Sequence, residues 1–208
     1  MTDELGGVVS DGGGTKRSSR AQRAEPAPQE LGKSHTADLR STWESERPDL
    51  DLTDVFVSIG FFRIARMIEH ATDSWTRQNF GISGADIRVL WALRRTGKPY
   101  QRRPTDLFRN LLVTSGAITK QVDRLTKIGF VRRLQDPNHA SGSLVELTAK
   151  GVAAADEGIE FIANHSILKK ACKGMAATKR KQGEIYVLQL LSELEQVSEL
   201  GPNIAGKR

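Results

Sequence analysis

The sequence has little of the chemistry that many functional sites require. Its 208 residues include one cysteine, Cys172, which excludes an intrachain disulfide framework and a multi-cysteine zinc site. No apolar run reaches about 18 residues and the N-terminus has no apolar signal segment, so we expect a cytoplasmic protein without membrane contact. The four histidines are scattered, and neither an HExxH motif nor a glycine-rich phosphate loop occurs. His165 and Cys172 are one conceivable pair of metal ligands, but two ligands are weak support for a site. We therefore predict no catalysis, no cofactor and no metal.

Positive charge is unevenly distributed along the chain. The formal net charge is +6, yet residues 94–133 contain 11 basic side chains against two acidic ones, Asp106 and Asp123. A second stretch, residues 169–181, contains six basic residues and no acidic one. Such segregation is typical of a surface that binds a polyanion. A basic face that only contacts water is the alternative.

The first ordered element is expected only after a long polar segment. Residues 1–48 are rich in glycine, serine, proline and mixed charge, which predicts a disordered tail, and residues 49–208 are expected to form a single unit. Helical spacing then begins, at Val57, Phe61, Ile64, Ile68, Ala71 and Trp75, and predicts a helix that ends at Gly81. A second apolar line runs beside the first, at Val55, Ile59 and Phe62. Such a helix must bury two sides, one in its own domain and the other, in one interpretation, against another chain.

Capping and stop residues divide the next part of the chain into three short helices. Ser83 is placed to begin a helix that ends before Gly97. Pro104 suits the first turn of the next helix. Thr114 is placed to cap the third helix, and Gly129 to stop it.

A hairpin and two longer helices are predicted for the remaining chain. The β-type runs Phe130–Leu134 and Ser143–Leu147 flank a turn-rich stretch, which indicates a hairpin. Thr148 is placed to begin a helix. After a basic stretch around Gly174, a last helix carries Ile185, Leu188, Leu191 and Leu194.

Two short helices joined by a three-residue turn and followed by a hairpin describe a winged helix-turn-helix. The second of these helices, residues 115–128, has a stripe of apolar residues: Ile118, Val122, Leu125 and Ile128. Another side carries Lys120, Arg124 and Lys127, and small or hydroxyl residues lie near its start. This pattern suits a recognition helix that enters a major groove about 12 Å wide. An amphipathic helix whose lysines contact only water is the alternative.

Three segments of this region are especially distinctive: Thr114–Leu125, Gly129–Arg133 and Leu147–Thr148. With them, residues 83–151 resemble the MarR family of bacterial transcriptional regulators. The resemblance implies a mainly α fold, a winged helix-turn-helix with a small β-hairpin wing and a helical dimerisation region. It assigns a DNA-binding lobe to residues 83–148 and dimerisation helices to residues 49–82 and 149–200. It also implies a homodimer, usually a repressor, that binds a palindromic operator in double-stranded DNA and is often released by a small aromatic acid.

The predicted DNA contacts follow from the recognition helix and its basic surroundings. We expect six residues to face bases or adjacent phosphates: Thr114, Ser115, Ala117, Thr119, Lys120 and Gln121. We expect five others to hold the DNA backbone: Arg124, Lys127, Arg109, Arg102 and Arg103. The family's wing usually reads Asp-Pro-x-Asp-Arg-Arg-Gly, whereas residues 136–142 read Asp-Pro-Asn-His-Ala-Ser-Gly. His139 is the only substitute cation, so we predict weaker anchoring of the wing in a minor groove.

An effector site is implied by the resemblance alone. Family effectors lie between the dimerisation helices and the DNA-binding lobe, where the pattern of this chain would place Phe62, Arg66, His70, Arg88 and Trp91. An arginine there would match an aromatic carboxylate, although core aromatics and surface arginines would explain the same residues. Two other hypotheses stay open. One is an architectural DNA binder without sequence preference, which the missing wing arginines favour. The other is a redox sensor that uses Cys172, against a thiol that is merely exposed or packed.

Overall fold

The computed structural model describes residues 35–138 and 142–197, and the chain divides after Leu52 into two units. In the first unit, helix α1 covers His35–Glu46. We predicted a disordered tail for residues 1–48, and over this stretch the prediction is wrong. Local contacts stabilise the helix, because Arg40 pairs with Glu44 one turn later and Asp38 lies in the first turn. Residues 1–34 of the predicted tail lie outside the described residues.

The second unit contains seven helices and three strands among its described residues. The helices are α2 (Thr53–Phe80), α3 (Gly84–Arg94), α4 (Pro104–Leu111), α5 (Ser115–Lys127), α6 (Ala149–His165), α7 (Ile167–Ala171) and α8 (Ala177–Val197). The strands are β1 (Gln101–Arg102), β2 (Val131–Gln135) and β3 (Ser143–Leu147). The predicted mainly α winged helix-turn-helix is confirmed. Over the described ranges, every helix is too short or too polar to span a lipid bilayer.

The wing is a small antiparallel sheet with the strand order β1-β3-β2. In the predicted hairpin, Val131 lies opposite Leu147 and Gln135 lies opposite Ser143. Strand β1 was not predicted, because two residues are too few for a periodic pattern. It pairs through Gln101 with Glu146, so the wing is attached to the segment that leads into α4.

The hydrophobic core of the second unit lies where α3 meets α4, α5, α6 and the sheet. Its fully buried members include Ile87, Leu90, Leu93, Leu107, Ile118, Val122, Leu125, Val145 and Ala155. The stripe predicted for the recognition helix is therefore buried, apart from Ile128, which is 36% exposed. Farther along α6, the ring of Phe161 stacks on Trp75 of α2 with centroids 4.1 Å apart.

Two glycines are required by the backbone near the wing. Gly129 ends α5 with a φ of +79°, a left-handed conformation that side chains disfavour. At Gly151 a Cβ atom would lie 2.0 Å from the carbonyl oxygen of Phe130. The first turn of α6 can therefore approach β2 this closely only with glycine at position 151.

Candidate nucleic-acid interface

The turn between α4 and α5 is built by local capping. Leu112 adopts a left-handed conformation with a φ of 52° and ends α4. Thr114 is the N-cap of α5, and its hydroxyl oxygen accepts a hydrogen bond from the N–H of Ala117 at 3.2 Å. The N-terminus of α5 is left open, with Ser115 and Gly116 exposed. A helix that begins this way offers backbone N–H groups and its positive dipole end to an anion.

The outer face of α5 carries polar side chains and two available cations. Thr119 is exposed, and its hydroxyl donates to the carbonyl oxygen of Ser115 at 3.0 Å. Lys120 and Lys127 are both exposed, and neither has an ion-pair partner within residues 35–138 and 142–197. Both ammonium groups are therefore available to phosphates or base edges.

Two predicted contact residues of α5 lie deeper than the lysines. Ala117 and Gln121 are half-buried, on the side of the helix next to its core stripe. Oε1 of Gln121 is buried and has no hydrogen-bond partner among the described residues. These two side chains line the edge of the exposed face, whereas Lys120 lies at its centre.

Arg102 and Arg109 are two further available cations beside the recognition helix. Arg109 is exposed in the last turn of α4, and Arg102 is exposed on β1. In the described part of the chain, no ion pair involves either of them. We call Arg102, Arg109, Lys120 and Lys127 the unpaired cations. All four were predicted to contact DNA.

Arg124 has a partner that the sequence analysis did not identify. Its Nε donates to Oδ2 of Asp86 at 3.0 Å, and its Nη2 donates to Oδ1 of the same carboxylate. The side chain of Asp86 is only 1% exposed, and the hydrogen bond to it raises the pKa of Arg124. The guanidinium predicted to hold the DNA backbone thus joins α5 to α3. The sequence contains a signal for Asp86, because Ser83-x-x-Asp86 has the spacing of a capping box.

Arg103 is likewise held within the protein. Its Nε lies 2.7 Å from Oδ2 of Asp136, whose side chain is 1% exposed. The other oxygen of Asp136 accepts the N–H of Asn138 at 2.9 Å. This pair fixes the base of the wing to the N-cap of α4. His139, the predicted cation of the wing, lies outside the described residues.

Two arginines of β2 also have structural partners that were not predicted. Arg132 donates to Glu146 on the neighbouring strand at 2.7 Å, and Arg133 donates to Asp123 of α5 at 2.7 Å. The second pair connects the wing to the recognition helix. In the sequence these residues contributed only to the charge count, because their partners lie 14 and 10 residues away.

The predicted effector residues are only partly brought together. Arg66, His70 and Arg88 line a cavity of about 290 Å³ between α2 and α3. Glu69 lies in the same cavity, 3.3 Å from Arg88 and 3.7 Å from Arg66. The cavity contains both signs of charge, so an anion would compete with Glu69 for the two arginines.

The aromatic members of the predicted effector site lie elsewhere. Phe62 is 73% exposed and lines a neighbouring surface cavity with Arg66. Trp91 is half-buried and packs against the core, and its Nε1 donates to the carbonyl oxygen of Ala155 at 3.1 Å. Its ring also packs against Gly158 of α6. Trp91 thus holds α3 against α6, and its expected place in the cavity is corrected.

Comparisons with a family model, with related sequences and with solved structures all find similarity to MarR-type regulators. The model of the MarR family matches residues 82–139. The chain is 28% identical over 124 residues to the HTH-type transcriptional regulator PecS of Dickeya dadantii (strain 3937), covering 60% of this chain and 74% of the relative. It is 31% identical over 110 residues to the multiple antibiotic resistance protein MarR of Escherichia coli (strain K12), covering 51% of this chain and 73% of the relative. It is also similar to a crystal structure of a mutant MarR from E. coli complexed with operator DNA. The TM-score is 0.52 at 26% identity, over 68% of this chain and 99% of that chain.

Proposed function

The chain belongs to the MarR family, and from this membership we infer that it is a sequence-specific regulator of transcription that binds double-stranded DNA. One observation supports this function above the others. Helix α5 buries Ile118, Val122 and Leu125 while its opposite face presents Lys120 and Lys127 without ion-pair partners among the described residues. A helix that is buried on its apolar side and exposes a polar, basic side suits entry into a major groove.

Residues around the recognition helix would divide the contacts to DNA. The exposed N-terminus of α5, with Thr114 and Ser115, would lie nearest to base edges and adjacent phosphates. The unpaired cations would contact the backbone, with Lys120 close enough to the helix start to reach a base. Phosphate contacts position the protein, whereas base contacts discriminate between sequences.

We propose that the protein binds DNA as a homodimer. Helix α8 exposes seven apolar side chains: Ile185, Tyr186, Val187, Leu188, Leu191, Leu194 and Val197, each at least 44% exposed. An apolar surface of this length favours burial against a second copy. A twofold dimer would contact two half-sites of a palindrome about 10 base pairs apart.

Substitution in α8 tests the dimer. Leu188→Glu combined with Leu191→Glu is expected to produce monomers in analytical ultracentrifugation, because two charges would enter the apolar contact. Gln189→Glu is a control on the same helix, at an exposed polar position. A wild-type protein that is monomeric at the concentrations at which it binds DNA would contradict the proposal.

We further propose that the regulator is a repressor released by a small aromatic acid in the cavity between α2 and α3. Arg66 and Arg88 supply positive charge there, and His70 supplies a further hydrogen-bonding group. Calorimetric titration with benzoate tests the site, with Arg88→Met as the variant expected to lose binding. Equal binding by wild type and variant would place the ligand elsewhere.

The decisive experiment for the function is a binding titration with two DNA fragments at two salt concentrations. One fragment is the intergenic DNA beside the protein's own gene, and the other is a scrambled sequence of equal length. A preference of about 10³-fold or more for the native fragment is expected of an operator-specific regulator. Equal and steeply salt-dependent binding would instead support an architectural DNA-binding protein. The absence of arginine from residues 136–142 is the observation that favours this second function.

A further inference from the structure

We propose that Asp86 is a positioning residue for DNA recognition, which orients helix α5 by holding Arg124. The inference rests on the proposed function, because it concerns how α5 is presented to an operator. It assigns a role in specificity to a buried carboxylate that would not itself touch DNA.

The carboxylate of Asp86 is the meeting point of two helices. Oδ2 accepts the backbone N–H of Ser83 at 3.0 Å and the Ser83 hydroxyl at 2.7 Å, which closes the N-terminal cap of α3. The same carboxylate receives Nε and Nη2 of Arg124 from α5. Two helix segments that are 38 residues apart in sequence thus share one buried anion.

The geometry of this pair restricts the orientation of α5. A guanidinium that donates two parallel hydrogen bonds to one carboxylate is fixed in direction as well as in distance. Lys120 and Lys127 lie four residues before and three residues after Arg124, so they project from the same side of the helix. Rotation of α5 about its axis would pull Arg124 away from Asp86 and would move both lysines together.

The start of α3, which carries Asp86, is itself fixed by contacts with α2. Oδ1 of Asp73 in α2 accepts the N–H of Gly84, the first residue of α3, at 2.9 Å. A Cβ atom at Gly84 would lie 3.2 Å from the backbone of Asp73, so the two helices are in close contact there. Asp86 therefore binds Arg124 from the N-terminal end of α3, which its contacts with α2 keep in place.

Loss of this contact should affect specificity more than overall affinity. Non-specific binding depends on the number of phosphates that cations neutralise, which the neutral variant Asp86→Asn does not reduce. Discrimination between base sequences depends on the position of side chains in the groove. Reduced control of α5 orientation therefore lowers operator affinity while affinity for random DNA is kept.

The test uses the full chain and the ratio of its dissociation constants for scrambled and native fragments. The variants are Asp86→Asn, Arg124→Lys and the double variant, with Asp156→Asn as control. Asp156 pairs with Arg94 at 2.8 Å but is half exposed and lies in α6. Arg124→Lys keeps the charge but loses the two-point contact, and its side chain is already 49% exposed, so the fold should tolerate it.

We expect each single variant to lower the ratio about tenfold, comparable to one mismatched base pair. The double variant should lower it no further than one single variant, since both remove the same contact. A fraction of unfolded protein reduces binding to both fragments equally, so a merely stabilising role for Asp86 leaves the ratio unchanged. An unchanged ratio, or effects that add in the double variant, would overturn the inference. A wild type without preference for the native fragment would refute the proposed function as well.

Discussion

Lys127 offers a quantitative test of the unpaired cations, because its charge has no partner among the described residues. Each phosphate contact contributes about 0.9 to the slope of log affinity against log salt for duplex DNA. A homodimer carries two copies of Lys127, so Lys127→Ala should reduce the slope by about 1.8. Between 50 and 200 mM salt, the wild type should then lose about twelvefold more affinity than the variant.

Fluorescence anisotropy with the native and scrambled fragments at four or more salt concentrations measures this slope. The reduction should be the same on both fragments, because a phosphate contact carries no sequence information. Arg40→Ala in α1, where Arg40 pairs with Glu44 at 3.1 Å outside both basic stretches, is the control and should leave the slope unchanged. An unchanged slope for Lys127→Ala would refute the assignment of Lys127 to a phosphate. A reduction of about 0.9 would contradict symmetric binding by two copies.

Three further predictions address the base contact of Lys120, the close approach of α6 to β2 at Gly151, and the contact of Asp73 in α2 with the start of α3. Lys120→Ala should cost about 1–3 kcal/mol of operator affinity and relax preference at one base pair; an equal loss on all sequences would show that Lys120 contacts only phosphate. Gly151→Ala should lower the free energy of unfolding by about 3 kcal/mol in urea titrations, since its Cβ meets a backbone oxygen, whereas Gly183→Ala, in open space within α8, should raise it by about 0.5–1 kcal/mol. Asp73 has its pKa held below the ordinary value of 3.8 by Arg77 and by the Gly84 N–H. Its carboxylate therefore stabilises the fold above that value and loses the effect as the pH falls through the lowered pKa. The stability difference between wild type and Asp73→Asn should be full at neutral pH and shrink as the pH falls through the lowered pKa of Asp73. A difference that is independent of pH would contradict this.

Local signals in the sequence were sufficient for most elements of the winged unit. Ser83, Pro104, Thr114 and Gly129 each act within a few residues, and the helices they delimit are confirmed. The buried stripe of α5 was predicted because apolar spacing reflects which side of a helix is buried. Strand β1 and helix α7 have two and five residues, too few for such a pattern.

The candidate site was less predictable from the sequence, because the contacts of its side chains are made with residues that are far away along the chain. Periodicity places Arg124 near the exposed side of α5, but only the tertiary fold brings Asp86 within hydrogen-bond distance. The same holds for Arg103 and Asp136, which are 33 residues apart. Trp91 has the spacing of either a core or a cavity residue, and its partner, the carbonyl of Ala155, lies 64 positions later. The composition of residues 1–48 did not predict helix α1, because this helix is stabilised by an i,i+4 ion pair within a segment of low hydrophobicity.

The buried carboxylate of Asp136, at the base of the wing, separates two requirements that a binding loop normally combines: attachment to the rest of the protein and contact with the ligand. Asp136 draws Arg103 and the N–H of Asn138 toward itself, and its own N–H donates to the carbonyl oxygen of Gly142 at 3.0 Å. All of these anchoring groups lie outside positions 139–141. The wing is thus attached to the N-cap of α4 through groups that flank its tip, so the role of holding the wing in place is assigned to different residues from those that its tip would present to DNA.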